Sequence, residues 1–296
     1  MGKLDLAHTA ERDIVDLSRS GIPNACVVGR YSYQLPHAPL PPHRHIGMLE
    51  ICFLQRGFQT YFVGKEKYEM AGGEIFVTFP GETHGTGTAL EDRGALYWLI
   101  VRVPPGASRF LGERGPAARA LAAALLRLPR RTFKAPPNTE ELLESILRCA
   151  SDSADPLARL KLKSLLLQFL LSVVAAAASD GSDSVSGRMH RVLDFIQQRV
   201  TEAPTLPELA AFARLSLSRF KTRFRKEVGV PPSEYVARAR IAASQRLLSD
   251  GRRSITEVAH AMGFASSQHF ATVFRRYAGQ SARNWMKGLN NDSSRS

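Results

Sequence analysis

Along the first hundred or so positions, apolar residues come in short runs of β-branched and aromatic side chains. ACVVGRYSY (25–33), MLEICFL (48–54), FQTYFVG (58–64), GEIFVTF (73–79) and ALYWLIVRV (95–103) are set apart by Gly, Pro and charged residues, at the spacing of an all-β sandwich or barrel. After Pro104 the period becomes helical, and Leu- and Ala-rich stretches predict helices over 107–128, 139–150 and 156–178. The stretch SDGSDSVSG, 179–187, is poor in apolar residues and predicts a flexible linker. The division that follows is 1–178, a linker over 179–187, and 188–296.

Beyond the linker the pattern repeats. TLPELAAFARLS from Thr205 returns as SITEVAHAMGFA from Ser254, each opening with a capping box, Thr205 with Glu208 and Ser254 with Glu257. Each copy runs into a second helix with matching aromatics, Phe220 and Phe224 against Phe270 and Phe274. Two short helices joined by a tight turn make a helix-turn-helix, predicted over about 205–228 and 254–278. Between the copies, Pro231-Pro232 and Asp250-Gly251 bracket a helix. About 18 helical residues span roughly 27 Å, enough to hold two recognition helices about one DNA turn, roughly 34 Å, apart.

Charge sharpens the division. From Arg188 onward there are 19 Lys and Arg against 8 Asp and Glu, a net of +11 within the chain's +13. A basic module beside a near-neutral one points to a polyanion partner. The N-terminus MGKLDLAHTAERDIVDLS lacks the apolar core of a secretory signal, so a cytoplasmic location is expected. The most apolar run, 165–178, is too short to cross a bilayer and carries Gln168 and Ser172, which predicts a buried or interface helix and no membrane partner. Cys26, Cys52 and Cys149 have no metal or redox spacing and read as reduced thiols.

The C-terminal residues resemble the AraC/XylS family of bacterial transcription regulators. Ile255, Glu257, Val258, Ala259, Gly263, Phe264, Phe270, Phe274, Arg275, Arg276, Gly279 and Ser281 fit the family pattern in the second copy, and Ser216, Phe224, Arg225, Gly229, Pro232, Tyr235 and Arg240 fit in and after the first. Ala282 stands where the family usually has Pro, and Thr222 and Thr272 stand where a base-reading Arg is frequent. With the aromatics of each second helix turned inward, Ser218, Lys221 and Thr222, and Ser267, Gln268, His269 and Thr272, lie on the open faces. The resemblance implies that these read base edges in double-stranded DNA, Gln268 foremost because its amide can pair with adenine. Arg219, Arg225, Arg275 and Arg276 are expected on phosphates.

The N-terminal part resembles the cupins through His43, His45, Glu50 and Gly57, and through Gly73, Pro80, Gly81 and His84. Three histidines and a carboxylate suit a divalent transition metal. The same side chains, with Trp98, equally suit the wall of a small-molecule effector site in a barrel mouth. Tyr33, Phe53, Tyr61 and Phe76 are further aromatics that line the barrel or pack in its core, and Arg30 and Arg44 are candidates to meet an acidic effector. The expected fold is α+β: a cupin-like β-barrel followed by helices, then an all-α domain with two helix-turn-helix motifs. The expected function is a DNA-binding regulator, an activator controlled by a small effector such as a sugar, acting as a homodimer with RNA polymerase and not as an enzyme. The competing expectation is a metal-dependent cupin enzyme or sensor fused to a DNA-binding module.

Overall fold

The computed structural model describes residues 6–87, 91–106, 108–150, 155–179 and 187–293. The chain forms two compact units, one of residues 1–34 and 39–182, the other of 183–296 with the segment 35–38. The expected linker lies almost wholly outside the described residues.

The first unit is built on one antiparallel sheet. Its strands are β1 (Arg12–Asp16), β2 (Ala25–Tyr33), β3 (Met48–Val63), β4 (Glu66–Ala71), β5 (Glu74–Thr78), β6 (His84–Gly85) and β7 (Gly94–Arg102). A hairpin of β8 (Arg109–Phe110) and β9 (Glu113–Arg114) follows, then α1 (Gly115–Leu126), β10 (Thr132–Lys134), α2 (Thr139–Ala150) and α3 (Pro156–Ala178). The order is β1-β2-β7-β3-β5-β10, with β4 and β6 also paired to β3.

Two expectations are corrected. The runs 48–54 and 58–64 are one strand, β3, because the chain bulges at Gln55, between Leu54 and Arg56, and runs on through Gly57, paired with Gly94, instead of making a turn. The Gly57 φ of +104° suits only glycine, and a Cβ there would lie 2.6 Å from the Arg93 carbonyl oxygen. The helix expected from 107 starts at Gly115, since Leu111 and Gly112 take positive φ and close the β8–β9 hairpin first. Pro116 then sits in the first turn, where its missing N–H is harmless.

The central strands are buried on both faces, which is why they read as unbroken apolar runs. On β7, Tyr97, Leu99 and Val101 face the helices and join Leu125, Ile146, Leu166 and Phe169 in one core. Leu96, Trp98 and Ile100 face the other way, into a barrel interior shared with Tyr31, Cys52, Tyr61 and Phe76. Only one face of α3 enters the core, through Leu162, Leu166, Phe169, Leu170, Val173 and Ala177. Leu157, Leu160 and Leu171 are exposed. At 23 residues this helix is long and apolar enough to cross a membrane by length and composition.

The second unit is helical: α4 (Gly187–Gln198), α5 (Leu206–Phe212), α6 (Leu217–Val228), α7 (Pro232–Ser249), α8 (Ile255–Ala261), α9 (Ser267–Ala278) and α10 (Ala282–Ser293). Both capping boxes form, at Thr205/Glu208 and Ser254/Glu257. The two turns share one device. Gly263 takes φ +67°, and Arg214, its counterpart, takes φ +53°. In each, the next residue's N–H reaches back to the helix, Leu215 to Ala210 and Phe264 to Ala259, both at 3.0 Å. The turns differ in length, with 213–216 in the first motif and 262–266 in the second. Arg240 on α7 donates to the Met262 carbonyl from Nε at 2.9 Å and a terminal nitrogen at 2.6 Å, and stacks on Phe264, tying the connecting helix to the second turn. The Ala282 departure leaves α10 starting at that residue, which is buried.

Candidate ligand pocket and nucleic-acid interface

Four predicted side chains converge at one end of the barrel. The His43 and His84 backbones form an antiparallel bridge. Glu50 comes from β3, after a turn at Gly47, whose φ of +68° resets the strand so that His45 and Glu50 point to one place. One donor atom from each of His43, His45, Glu50 and His84 lies within 4.8 Å of all the others. His84 Nε2 is 2.7 Å and His45 Nε2 3.6 Å from Glu50 Oε2.

The outer ring nitrogens are already engaged. His43 Nδ1 donates to the Pro41 carbonyl at 3.0 Å, and His84 Nδ1 to the Glu82 carbonyl at 3.1 Å. Both rings therefore turn Nε2 toward the cluster, the support that metal-ligating histidines receive. Burial alone would raise the Glu50 carboxyl, but the close approach of His45 and the hydrogen bond from His84 outweigh it and hold the group far below the usual carboxylate range. Burial opposes charge on His84, and Glu50 reverses this, so its pKa is raised. His43 is lowered, chiefly by burial. At 2.7 Å, His84 Nε2 and the Glu50 carboxylate hold a proton between them.

Beside the cluster lies a cavity of about 440 Å³. His43, His45 and Glu50 form part of its wall, with Tyr31, Tyr61, Trp98, Arg12 and Glu91. His84, expected to touch a ligand, instead stands behind Glu50, because its pairing with His43 fixes its backbone and its Nε2 is turned to the carboxylate. Trp98 lies across Gly29 of the neighbouring strand, where a Cβ would fall 2.3 Å from the indole. The Arg12 guanidinium sits 5.1 Å from the Trp98 ring centroid. Burial pushes the Glu91 carboxyl up to about 7, against the pull of Arg12.

Other expectations fare differently. Tyr61 lines the cavity, stacked on Phe76, which with Tyr33 packs in the barrel interior. Phe53 faces the helices. Arg30 is outside the barrel, paired with Asp13 at 2.8 Å and Glu144 at 2.6 Å, and Arg44 is exposed away from the cavity. Neither stands ready for an acidic ligand there. Sequence reasoning missed Arg12, Tyr31 and Glu91, because strand parity says which residues share a face but not which face turns inward.

In the second unit, Ser216 caps α6 by accepting from the Arg219 amide, and Ser266 caps α9 by accepting from the His269 amide. Phe220, Phe224, Phe270 and Phe274 are fully buried. Ser218, Arg219, Lys221, Thr222 and Arg225 are exposed on α6, and Gln268, His269, Thr272, Arg275 and Arg276 on α9, while Ser267 is half-buried. The Thr272 hydroxyl donates to the Gln268 carbonyl at 3.0 Å, and the His269 ring packs edge-on against Phe264.

Residues 28–170 match the AraC-like ligand binding domain family, and residues 209–288 match a helix-turn-helix domain family. The chain is 30% identical over 261 residues to the HTH-type transcriptional activator RhaS of Yersinia pseudotuberculosis serotype I, covering 84% of this chain and 89% of that protein. It is 24% identical over the same shares to RhaS of Yersinia pestis Pestoides F. Among solved structures, ToxT from Vibrio cholerae O395 is similar at 16% identity and a TM-score of 0.33, covering 95% of this chain and 99% of that one.

Proposed function

The chain belongs to the AraC family of transcription regulators, and from that premise we propose how its two units divide the work. It is an effector-controlled regulator that binds DNA through its helical unit. α6 and α9 enter successive major grooves, with Ser218, Lys221 and Thr222 on one and Ser267, Gln268, His269 and Thr272 on the other facing base edges. Arg219, Arg225, Arg275 and Arg276 bind phosphates and set the register. The barrel cavity takes the effector, against Trp98 and the wall of His43, His45 and Glu50, with His84 supporting Glu50 from behind.

The observation that carries this reading is the presence in one chain of a barrel-mouth cavity of about 440 Å³ and two capped helices whose outer faces are polar and basic. Its similarity to RhaS activators supports activation, and an activator of this kind works in contact with RNA polymerase in the cytoplasm. The exposed Leu157, Leu160 and Leu171 on α3 offer a homodimer face. A thermal-shift screen with sugars, sugar acids and aromatic acids tests the reading, because a ligand of the folded state raises Tm. A hit whose shift survives Trp98→Ala and Glu50→Gln unchanged would place the effector elsewhere.

A second reading concerns the cluster. The four donors fit a divalent transition metal in number, type and mutual distance, and two histidines have their outer nitrogens fixed. When bound, such an ion supplies Lewis acidity and an open coordination position for an effector oxygen. We propose sensing rather than turnover for this site. Metal analysis of the purified protein separates the readings: stoichiometric metal with measurable turnover, both lost in His43→Ala/His84→Ala, would make it an enzyme.

A further inference from the structure

Behind the ligand cluster, polar contacts lead by way of Glu82, Arg131 and Arg130 to the C-terminal turn of α3. His84 bonds Glu50 through Nε2 at 2.7 Å and the Glu82 carbonyl through Nδ1 at 3.1 Å. The Glu82 carboxylate accepts from both terminal nitrogens of Arg131, at 2.6 and 2.8 Å, and from the Phe79 amide at 2.7 Å. Arg131 is itself clamped. It donates to the Val77 carbonyl at 2.8 Å, accepts from the Val77 amide at 3.0 Å, and lies over the rings of Tyr68 and Phe79. A bidentate Arg–carboxylate pair fixes orientation as well as distance.

The next residue back, Arg130, points the other way. Its Nε donates to the Ala177 carbonyl, 3.2 Å away in the last turn of α3. That turn carries no basic residue of its own. Ser179 fills two neighbouring carbonyls, Ala175 from its amide and Ala176 from its hydroxyl, and Arg130 supplies the cation that a helix C-terminus favours. Consecutive Cα atoms are about 3.8 Å apart, so Arg131 cannot shift without moving the peptide that carries Arg130. In sequence, α3 is the last element before the linker and the DNA-binding unit.

We propose that Arg130 and Arg131 are positioning residues that couple Glu50 in the pocket wall, through His84 behind it, to the C-terminal turn of α3. This rests on the barrel cavity being the effector site. A ligand that draws on Glu50 moves His84, the Glu82 loop follows, and the arginine pair tightens or releases the end of α3. The effector's message leaves the first unit as order or fraying in that turn.

The test is hydrogen exchange on the full-length protein, with no effector required. Glu82→Gln should speed exchange of the Ala175–Ala178 amides roughly three- to tenfold, the scale of losing a charged helix cap, and leave those of Leu162–Leu166 unchanged. Arg130→Ala should produce the same rise, and Glu82→Gln added to Arg130→Ala should produce no more. If Glu82→Gln does not fold, Arg131→Lys serves in its place, keeping the charge but losing the bidentate pair. Wild-type rates at 175–178, an additive rise on the Arg130→Ala background, or acceleration throughout the unit would each overturn the coupling. None of these results bears on whether the cavity binds an effector, which the ligand screen decides.

Discussion

His43 and His84 face each other as a hydrogen-bonded antiparallel pair, each backbone N–H donating to the other's carbonyl at 2.9 Å. Their rings stand 4.3 Å apart between centroids. The backbone pairing thus brings the two halves of the cluster together.

His84→Ala removes the donor 2.7 Å from a carboxylate whose side chain is 12% exposed. Breaking a buried charge pair from one side costs about 3 kcal/mol or more. Chemical denaturation in the presence of a chelator should show that loss, whereas His43→Ala, lacking a direct bond to Glu50, should lose less. Equal losses would mean that Glu50 is supported by the cluster as a whole.

Gly29→Ala places a methyl 2.3 Å from the Trp98 ring, so the indole must tilt into the cavity. Overpacking of this kind costs about 1–3 kcal/mol. In a Trp285→Phe background, leaving Trp98 as the single indole, its emission should shift, and any effector found in the screen should bind more weakly. Unaltered emission and affinity would show that the cavity wall yields elsewhere.

Glu91 makes stability pH-dependent in a stated direction. Folded, its carboxyl holds a proton up to about 7, because burial outweighs Arg12. Unfolded, it releases the proton near ~4.3. A group raised in the folded state stabilises fully below its unfolded pKa and loses that contribution as pH rises through the folded value. Its other close neighbours, Tyr31, Cys52 and Tyr61, stay neutral there because burial holds their own pKa values well up. Glu91→Gln should therefore flatten the fall in Tm between pH 5 and 8 and gain about 2 kcal/mol over wild type at the upper end. A parallel pair of Tm curves would refute this.

Gly263→Ala tests the second turn. Its φ of +67° penalises any L side chain, and the new Cβ would meet the Ala203 Cβ at 3.1 Å. The expected loss is about 1–2 kcal/mol, with weaker DNA binding following from disorder of the turn. Arg214→Gly in the first motif relieves the same conformation and should not destabilise it.

Gln268→Ala addresses base reading. Profiling bound sequences from a random duplex pool should show relaxed preference at one adenine-bearing position, worth about 1–3 kcal/mol. Arg275→Ala should weaken binding across all sequences and lower its salt sensitivity. A Gln268→Ala profile identical to wild type would remove that residue from the base-reading set.

What the sequence makes legible is what is local. Thr205 and Glu208, or Ser254 and Glu257, need only each other to cap a helix, so both motifs were readable at residue level. The helices over 139–150 and 156–178 were readable for the same reason. The four-residue cluster was legible through its spacing, although only the fold brings His84 behind Glu50. Arg12 was invisible because β1 exists only by pairing with β2, Arg12 against Tyr31. Glu91 was invisible because its chemistry comes from burial, which leaves no mark on its neighbours in the chain. Gly57 misled, since a glycine that a strand runs through and one that ends it look alike until the partner strand is known.

The two turns of the helical unit differ by the single residue Ala265, and the two outer faces carry different side chains. The motifs stand in tandem along one chain and are not mirror images across an axis. A palindrome reads the same from either end, but a tandem of unlike readers does not. This module carries an arrow, so the DNA it selects has a front and a back. Reversing the stretch that one module reads would turn that module around on the duplex.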